Sequence, residues 1–353
     1  MKKLIVLVAA LMLFGLLGAI DLEWMGEFRT RGTAMYDDNS EHLSNYIDSR
    51  FRLEFDANVV NDLDLRTAFE VGDFTWGSTT ASYQVNTNEA YIDYRINSLG
   101  ANLKIGKQYW ADHRGLVFDY YITGAILNMD NLAGFKTDFG MMKFPLNNMH
   151  STWWMLNLQT EAPVAWGITA LAGYVDGVKM ETISALPYVT LQAGPLNLDI
   201  NPFLDYQYRR EEMGMGVAVK ANAGLGALEV GGDLLFAAEN GLTTLSSWYQ
   251  NGLYLYGIGT HHDGVNLYWN NPYEHNTDAF MSIVGNMKYA VCEQGKLFAA
   301  AGLLTDIGME VNVGMERTLI PDFLSAAVFA AIGIHDTPEQ NDMMLGATLE
   351  ANF

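Results

Sequence analysis

Between Tyr46 and Val71 the side chains alternate so strictly that few folds can hold them. Ile47, Ser49, Phe51, Leu53, Phe55, Ala57 and Val59 take the odd positions, while Tyr46, Asp48, Arg50, Arg52, Glu54, Asp56 and Asn58 take the even ones. Successive residues of a strand point to opposite faces, so this strand has one apolar face and one densely charged face. After Asn61 and Asp62 the pattern resumes, with Leu63, Leu65, Phe69 and Val71 set against Asp64, Arg66 and Glu70. The stretch is a hairpin. Burial of one face in a soluble sandwich gives the same period. The first strand, however, exceeds the ~5–6 residues usual in soluble proteins and reaches the ~9–11 that a tilted strand needs to cross a bilayer. We read it as membrane wall.

The ends of the chain agree. Lys2 and Lys3, the apolar run Leu4 to Leu17 and the small pair Gly18-Ala19 predict a secretory signal peptide over residues 1–19, leaving 20–353 as one barrel domain. No later window holds ~18 consecutive apolar residues, and Phe323 to Ile334 is too short for a membrane helix. Hydrophobic residues nonetheless make up 50% of the chain, which suits lipid-facing side chains on every strand. The formal net charge is −21, and loss of Lys2 and Lys3 makes it more negative still, which argues against nucleic acid or an anionic membrane surface as a partner. Cys292 is the single cysteine, so no internal disulfide forms and the thiol is read as structural.

The alternation recurs along the chain, clearly at Leu22 to Tyr36, Glu89 to Ile96 and Leu196 to Tyr208. It is blurred by Gly and Met at 122–130, 135–144, 154–161 and 165–174. The spacing predicts an all-β, antiparallel, up-and-down transmembrane β-barrel of about 18 strands, with 16 also compatible. Lys107 breaks the alternation after Ala101, Leu103 and Ile105. It is expected at the aqueous rim, with a bulge at Gly106 as the alternative. Short connections (Val60 to Asp62, Ser98 to Gly100, Gly194-Pro195, Leu319 to Asp322) alternate with long ones (Asp73 to Thr87, Ala111 to Tyr121, Glu239 to Asp278). That asymmetry predicts periplasmic turns at one end and extracellular loops at the other, with both termini periplasmic.

The last strand carries Leu345, Ala347, Leu349 and Ala351 on one face and ends in Phe353. A terminal aromatic in that setting resembles the signal read by the outer-membrane barrel assembly machinery. Together with Arg50-Phe51-Arg52-Leu53-Glu54-Phe55, Glu89-Ala90-Tyr91-Ile92-Asp93-Tyr94, Leu103-Lys104-Ile105-Gly106-Lys107-Gln108 and Gly308-Met309-Glu310-Val311-Asn312-Val313, the chain resembles substrate-type outer-membrane porins. It is nearest in style to the alginate-export and phosphate-selective porins. The resemblance implies passive diffusion of small polar solutes through a charged lumen, in contact with outer-membrane lipid and lipopolysaccharide, without a cofactor or an enzymatic step. The acidity of the chain argues against a phosphate-specific channel.

Arg29, Arg31, Arg50, Arg52, Arg66 and Arg95 share the predicted inner face with Glu54, Glu70 and Asp93, and these are the candidate pore-lining residues. An Arg at the lipid-facing midplane costs roughly 2–4 kcal/mol, so the register is well determined. The guanidiniums can attract anionic solutes, or pair with Glu27, Glu54, Asp56 and Glu70 to knit the wall; the two roles are compatible. Counting every inner-face charge, acid outnumbers base, which predicts weak cation preference opposed locally by the arginines. The aromatic-rich stretch 239–278 suits either stacking at the pore mouth or an external hairpin, and the strand-like Gly252 to Gly259 favours the hairpin. The side chains of His261 and His262 point apart on a strand, which argues against a metal site with Asp263, and no nucleophile motif supports a hydrolase. A barrel without transport, acting as envelope scaffold or adhesin, is the alternative. The crowd of inner charges favours transport, since a filled barrel needs more inward apolar residues.

Overall fold

Alternation of this kind has one closed solution, and the chain adopts it. The computed structural model describes residues 21–37, 42–77, 85–146, 149–160, 164–175, 180–208, 211–241, 243–244, 249–255, 274–275, 279–305, 307–336 and 341–353. The expectations for residues 1–19 and for His261, His262 and Asp263 lie outside them. The strands are β1 (Asp21–Asp37), β2 (His42–Val60), β3 (Leu63–Thr75), β4 (Val85–Ile96), β5 (Ala101–Ala111), β6 (Asp119–Leu132) and β7 (Phe135–Leu146). They continue with β8 (Met149–Thr160), β9 (Ala165–Val175), β10 (Met180–Ala193), β11 (Leu196–Gln207), β12 (Glu212–Leu225) and β13 (Leu228–Ala237). A two-residue ribbon, β14 (Thr243–Thr244) with β15 (Glu274–His275), precedes β16 (Phe280–Cys292), β17 (Gly295–Leu304), β18 (Gly308–Ile320), β19 (Leu324–His335) and β20 (Asn341–Asn352).

Apart from the ribbon, the strands form one 18-stranded sheet in which each pairs antiparallel with its neighbours. It closes where β1 pairs with β20, from Glu27↔Asn352 to Asp37↔Asp342. No edge is left, as backbone groups in a bilayer require. The count of 18 holds and 16 does not. On the outer face Ile283, Leu297, Val311, Val313, Val328, Ile332 and Leu345 are exposed. Their strand neighbours Ser282, Phe298, Glu310 and Asn312 are buried inside, so the period-two pattern sorts lipid from lumen.

Gly and Met blurred that pattern in the sequence for a reason visible in the register. Trp153, Tyr188, Phe203, Phe298 and Phe329 each lie directly opposite a glycine: Gly173, Gly167, Gly216, Gly314 and Gly346. A Cβ built on Gly346 would lie 2.1 Å from the Phe329 ring, and one on Gly314 would lie 2.2 Å from Phe298. The missing side chain lets the cross-strand ring lie flat over the neighbouring backbone, a pairing that stabilises glycine in a sheet. Phe353 does the same at the closure seam. Its backbone exchanges hydrogen bonds with Gly26, and its ring sits 6.1 Å from Trp24 and 6.2 Å from Phe51.

Candidate functional site

Two segments expected at the long-loop end fold into the barrel instead. β4 pairs with β5 only as far as Ala90↔Lys107, and β6 pairs with β7 only from Thr123↔Lys143. Beyond those points β5 and β6 pair with each other alone, up to Ala111↔Asp119. The hairpin tip therefore leaves the wall at Gly106, whose φ is 137°. A Cβ there would lie 2.2 Å from the Ala90 carbonyl oxygen, so only glycine permits the departure. One face of the tip, with Trp110, Leu116, Val117, Phe118 and Ile122, is buried against Met142, Trp153, Leu171, Leu186, Phe203 and Leu235. The other face presents Lys107, Tyr109 and Tyr121 to the lumen. Lys107 is thus not at the rim. It faces the lumen from an inturned strand, with Nζ donating to the Thr87 carbonyl.

Asp112 shapes the turn. Its Oδ2 accepts from the amides of Phe118 and Val117 at 2.7 and 2.8 Å, and its Oδ1 from those of Leu116 and Arg114 at 3.0 and 3.2 Å. Burial pushes the Asp112 carboxyl above its ordinary range, against the pull of those four amides. His113 stacks on Tyr188 with ring centroids 3.7 Å apart and bonds to Asp199 at 2.5 Å.

The second inturned segment is 249–255, so the expectation of an external hairpin fails for these residues. Leu253, Tyr254 and Leu255 are buried against Val284, Phe298, Phe329 and Met344. Glu310 accepts from the Tyr254 and Leu255 amides at 2.7 and 2.9 Å, and Asn312 donates to the Gly252 carbonyl at 2.9 Å. The two segments meet at Arg114. Its Nη2 donates to Asp233 at 2.6 Å and to the Tyr249 hydroxyl oxygen at 2.7 Å, its guanidinium lies 4.7 Å from the Tyr249 ring centre, and Tyr249 in turn donates to Asp233. Burial and the Asp233 carboxylate push the Tyr249 hydroxyl far up, so it stays a donor.

The open space lies along β1 to β3. A cavity of about 830 Å³ is lined by Arg31, Arg50, Arg52, Lys107, Glu70 and Asp119, with Tyr109, Tyr120, Tyr121 and Gln250 across it. A second of about 340 Å³ shares Arg50 and Arg52 and adds Arg29, Glu27, Glu316 and Glu350 toward the short-turn end. The arginines also knit the wall. Arg31 Nε bonds both Asp48 oxygens at 2.9 and 2.8 Å, Arg50 pairs with Glu27 at 2.7 Å and Arg52 with Glu70 at 2.6 Å. Arg66 is held by Glu54, Glu89 and Asp56 at 2.7, 2.7 and 3.5 Å, and borders neither cavity. Asp93 pairs with Lys104 at 3.8 Å, and with Arg95 it lines a separate cavity at the short-turn rim. The candidate residues therefore divide. Arg29, Arg31, Arg50, Arg52 and Glu70 surround the open space, while Glu54 and Arg66 tie strands together.

Lys107, Arg114, the three tyrosines and Asp112 were not among the residues expected from sequence. One signal was available, because the connection Ala111 to Tyr121 carries Leu116-Val117-Phe118, an apolar run that an external loop has no means of burying.

No family model and no curated protein matches the chain. Among solved structures it is similar to the outer membrane protein OpdK of Pseudomonas aeruginosa, at 14% identity and a TM-score of 0.62, covering 94% of this chain and 99% of that one. It is also similar to P. aeruginosa OpdO, at 11% identity and a TM-score of 0.65 over 94% and 97% of the chains. For OccAB2 of Acinetobacter baumannii the values are 8% and 0.60, over 94% and 98%. These likenesses show the fold: this chain is an antiparallel transmembrane β-barrel of the kind found in those proteins.

Proposed function

We propose that the protein is an outer-membrane porin through which small polar or charged solutes diffuse passively. The observation that carries this is a pair of polar cavities that share Arg50 and Arg52, set among the described residues between the β1–β3 wall and two inturned segments that are themselves firmly held. A scaffold or adhesin has no use for such a passage. The resemblance to alginate-export and phosphate-selective porins gains no support from the comparisons, and no solute is carried over from them. In this reading residues 1–19 are removed on secretion, Phe353 is recognised by the barrel assembly machinery, and the short turns face the periplasm.

The selectivity reading changes with the geometry. Asp205, Asp233 and Glu310 raise the acid count, yet they are at most 4% exposed and are bonded to Ser184, Arg114 and the Tyr254 amide respectively. They act little on the water path. The larger cavity is lined by four cationic side chains and two carboxylates; Asp48 and Glu27 offset Arg31 and Arg50 from outside the lining, so it is the guanidinium and amine donors facing the space, rather than a net charge, that favour the anionic group of a solute. Reconstituted protein should give single-channel steps and, in a potassium chloride gradient, a reversal potential on the anion side. Arg50→Ala with Arg52→Ala should move it toward cations, more at 0.1 M salt than at 1 M, because the Debye length falls from about 10 Å to about 3 Å. Folded protein without conductance steps would sink the porin reading. Strong potassium selectivity of the wild type would sink the role given to the arginines.

A further inference from the structure

Two consecutive residues grip the wall from the inturned hairpin tip, and only one of them keeps its charge at every working pH. Arg114 reaches Asp233 of β13, and a guanidinium stays protonated throughout the range in which proteins fold. His113 reaches a different pair of strands. Its Nε2 donates to Asp199 Oδ2 of β11 at 2.5 Å, and its ring lies flat on that of Tyr188 of β10, with 3.7 Å between centroids and 3° between planes. Asp199 Oδ2 also accepts from the Thr190 hydroxyl at 2.9 Å. The His113 side chain is 24% exposed, so protons reach it, and imidazole is the side chain that changes charge across neutral pH.

We propose that His113 is a pH-operated latch on the hairpin tip, fastened when the imidazole is protonated and weakened when it is neutral. The protonated ring makes a charge-assisted bond to Asp199 and sets a cation against the electron-rich face of Tyr188. The neutral ring keeps the bond and the stack without the charge. The groups around it set that sign. On the same turn, Asp112 turns its carboxylate into the amides of Arg114, Leu116, Val117 and Phe118, and Arg114 is matched by Asp233. Asp138 of β7 accepts from Asn128 and Asn157. Lys220 of β12 sits opposite both Asp199 and Asp233 in the ladders. Asp199 is therefore the carboxylate that rewards a charged His113, and Lys220 and Thr190 remain beside it when His113 turns neutral. Release strands no lone anion, unlike release of Arg114, so the latch can work reversibly. The latch itself does not depend on conduction. Where the effect on passage is concerned it rests on the porin reading, because the same hairpin carries Lys107, Tyr109 and Tyr121 into the larger cavity.

The test reads opening of the tip with a thiol, in barrels whose folding is verified by heat-modifiable migration. Val117, 2% exposed beneath the tip, is replaced by Cys, with Leu116→Cys on the same turn as the substitute should that variant not fold. Its rate of modification by a water-soluble methanethiosulfonate is divided by the rate at the exposed native Cys292, which corrects for thiolate and reagent at each pH. Opening breaks both grips, so weakening one raises the open population by the same factor. Between about pH 5.5 and about pH 8 the ratio should rise about fivefold, as one partly exposed ion pair allows. His113→Gln should hold the ratio high and level. Asp199→Asn should abolish the rise or invert it, because the protonated ring then faces Lys220 without a carboxylate between them. His335→Gln, which alters the other His–Asp pair among the described residues, should leave the rise intact. A level ratio in the parent, a rise that survives His113→Gln or Asp199→Asn, or a rise lost with His335→Gln overturns the latch. A barrel whose labelling follows pH but which gives no conductance steps would fail the porin reading alone.

Discussion

Arg114→Ala should unfasten the two inturned segments while leaving the barrel standing. Arg114 is the side chain that ties the inturned hairpin tip to the wall and to the second segment at once, through Asp233 and Tyr249. The Arg114 and Asp233 side chains are only 8% and 2% exposed, so deleting the guanidinium strands a buried carboxylate. Breaking a buried pair in this way costs about 3–5 kcal/mol. Water in the adjoining lumen screens part of that, and about 3 kcal/mol is a fair working value, a shift of roughly a hundredfold in the balance between fastened and loosened segments. The wall is spared because β13 keeps its full ladders with β12 and β16.

In single-channel recordings the variant should show frequent steps to higher conductance and more open-channel noise, with unchanged heat-modifiable migration. Replacing both partners by apolar residues, Arg114→Met with Asp233→Leu, should recover much of the quiet behaviour, since a well-packed apolar pair can substitute for a buried ion pair. Tyr249→Phe removes one hydroxyl and leaves the ion pair, so its effect should be smaller, about 1–2 kcal/mol. If Arg114→Ala conducts like the wild type in both amplitude and noise, the two segments are not held through this residue and the argument fails.

Three further outcomes follow from the same geometry. Burial holds the Asp112 carboxyl above its unfolded value, so the folded state binds this proton first. By linkage, stability through this group rises as pH falls toward the raised value, and acidification from about pH 7 to 5 should not by itself open the hairpin tip; faster amide exchange at Leu116 to Phe118 on acidification would contradict this. Gly346→Ala places a Cβ 2.1 Å from Phe329 and should cost about 1–3 kcal/mol in urea unfolding, whereas Gly224→Ala, where nothing lies within 4 Å, should cost little. Phe353→Ser removes the ring that covers Gly26 at the closing seam and should lower the yield of inserted barrel at native expression levels; an unchanged yield counts against the role proposed for the terminal aromatic.

The wall was legible because its physics is local. A charged residue that faces lipid is penalised at its own position, so Arg50, Arg52 and Arg66 fixed the face, and the face fixed the register of β2 and β3. The ladders among β6 to β9 were harder to read for an equally local reason. Where Trp153 lies over Gly173 and Tyr188 over Gly167, the inward position of β9 is a glycine, and a glycine carries no hydrophobic signal to count. The inturned segments were not legible, because what decides their place is a set of contacts far apart in sequence. Arg114 to Asp233 spans 119 residues, and Glu310 reaches Tyr254 across 56. Gly106, with a φ of 137°, marks the departure point; Lys107 does break the alternation there, but such a break fits a rim residue, the expectation from sequence, as well as a strand leaving the wall.

Inward apolar residues were expected to argue against a channel, and the structure shows why that inference was too simple. The interior is divided. Ile122, Met142, Trp153, Leu171, Leu186, Phe203 and Leu235 fill one side together with the hairpin tip, and Phe298, Phe329 and Met344 pack the second segment. The β1–β3 side keeps its charges and its open space. A barrel of 18 strands is wide enough to leave an aqueous channel if nothing enters it. Packing one side against inturned chain narrows the passage to the charged wall, and the apolar seat gives those segments the rigidity that a polar loop in water lacks. The same seat buries Asp233 and Glu310 as anchors, through Arg114 and the Tyr254 amide. On the porin reading proposed above, the inner-face apolar residues hold the segments that narrow the open space, so neither their number nor the net charge of the chain sets the proposed selectivity. The handful of side chains lining the space beside Arg50 and Arg52 does.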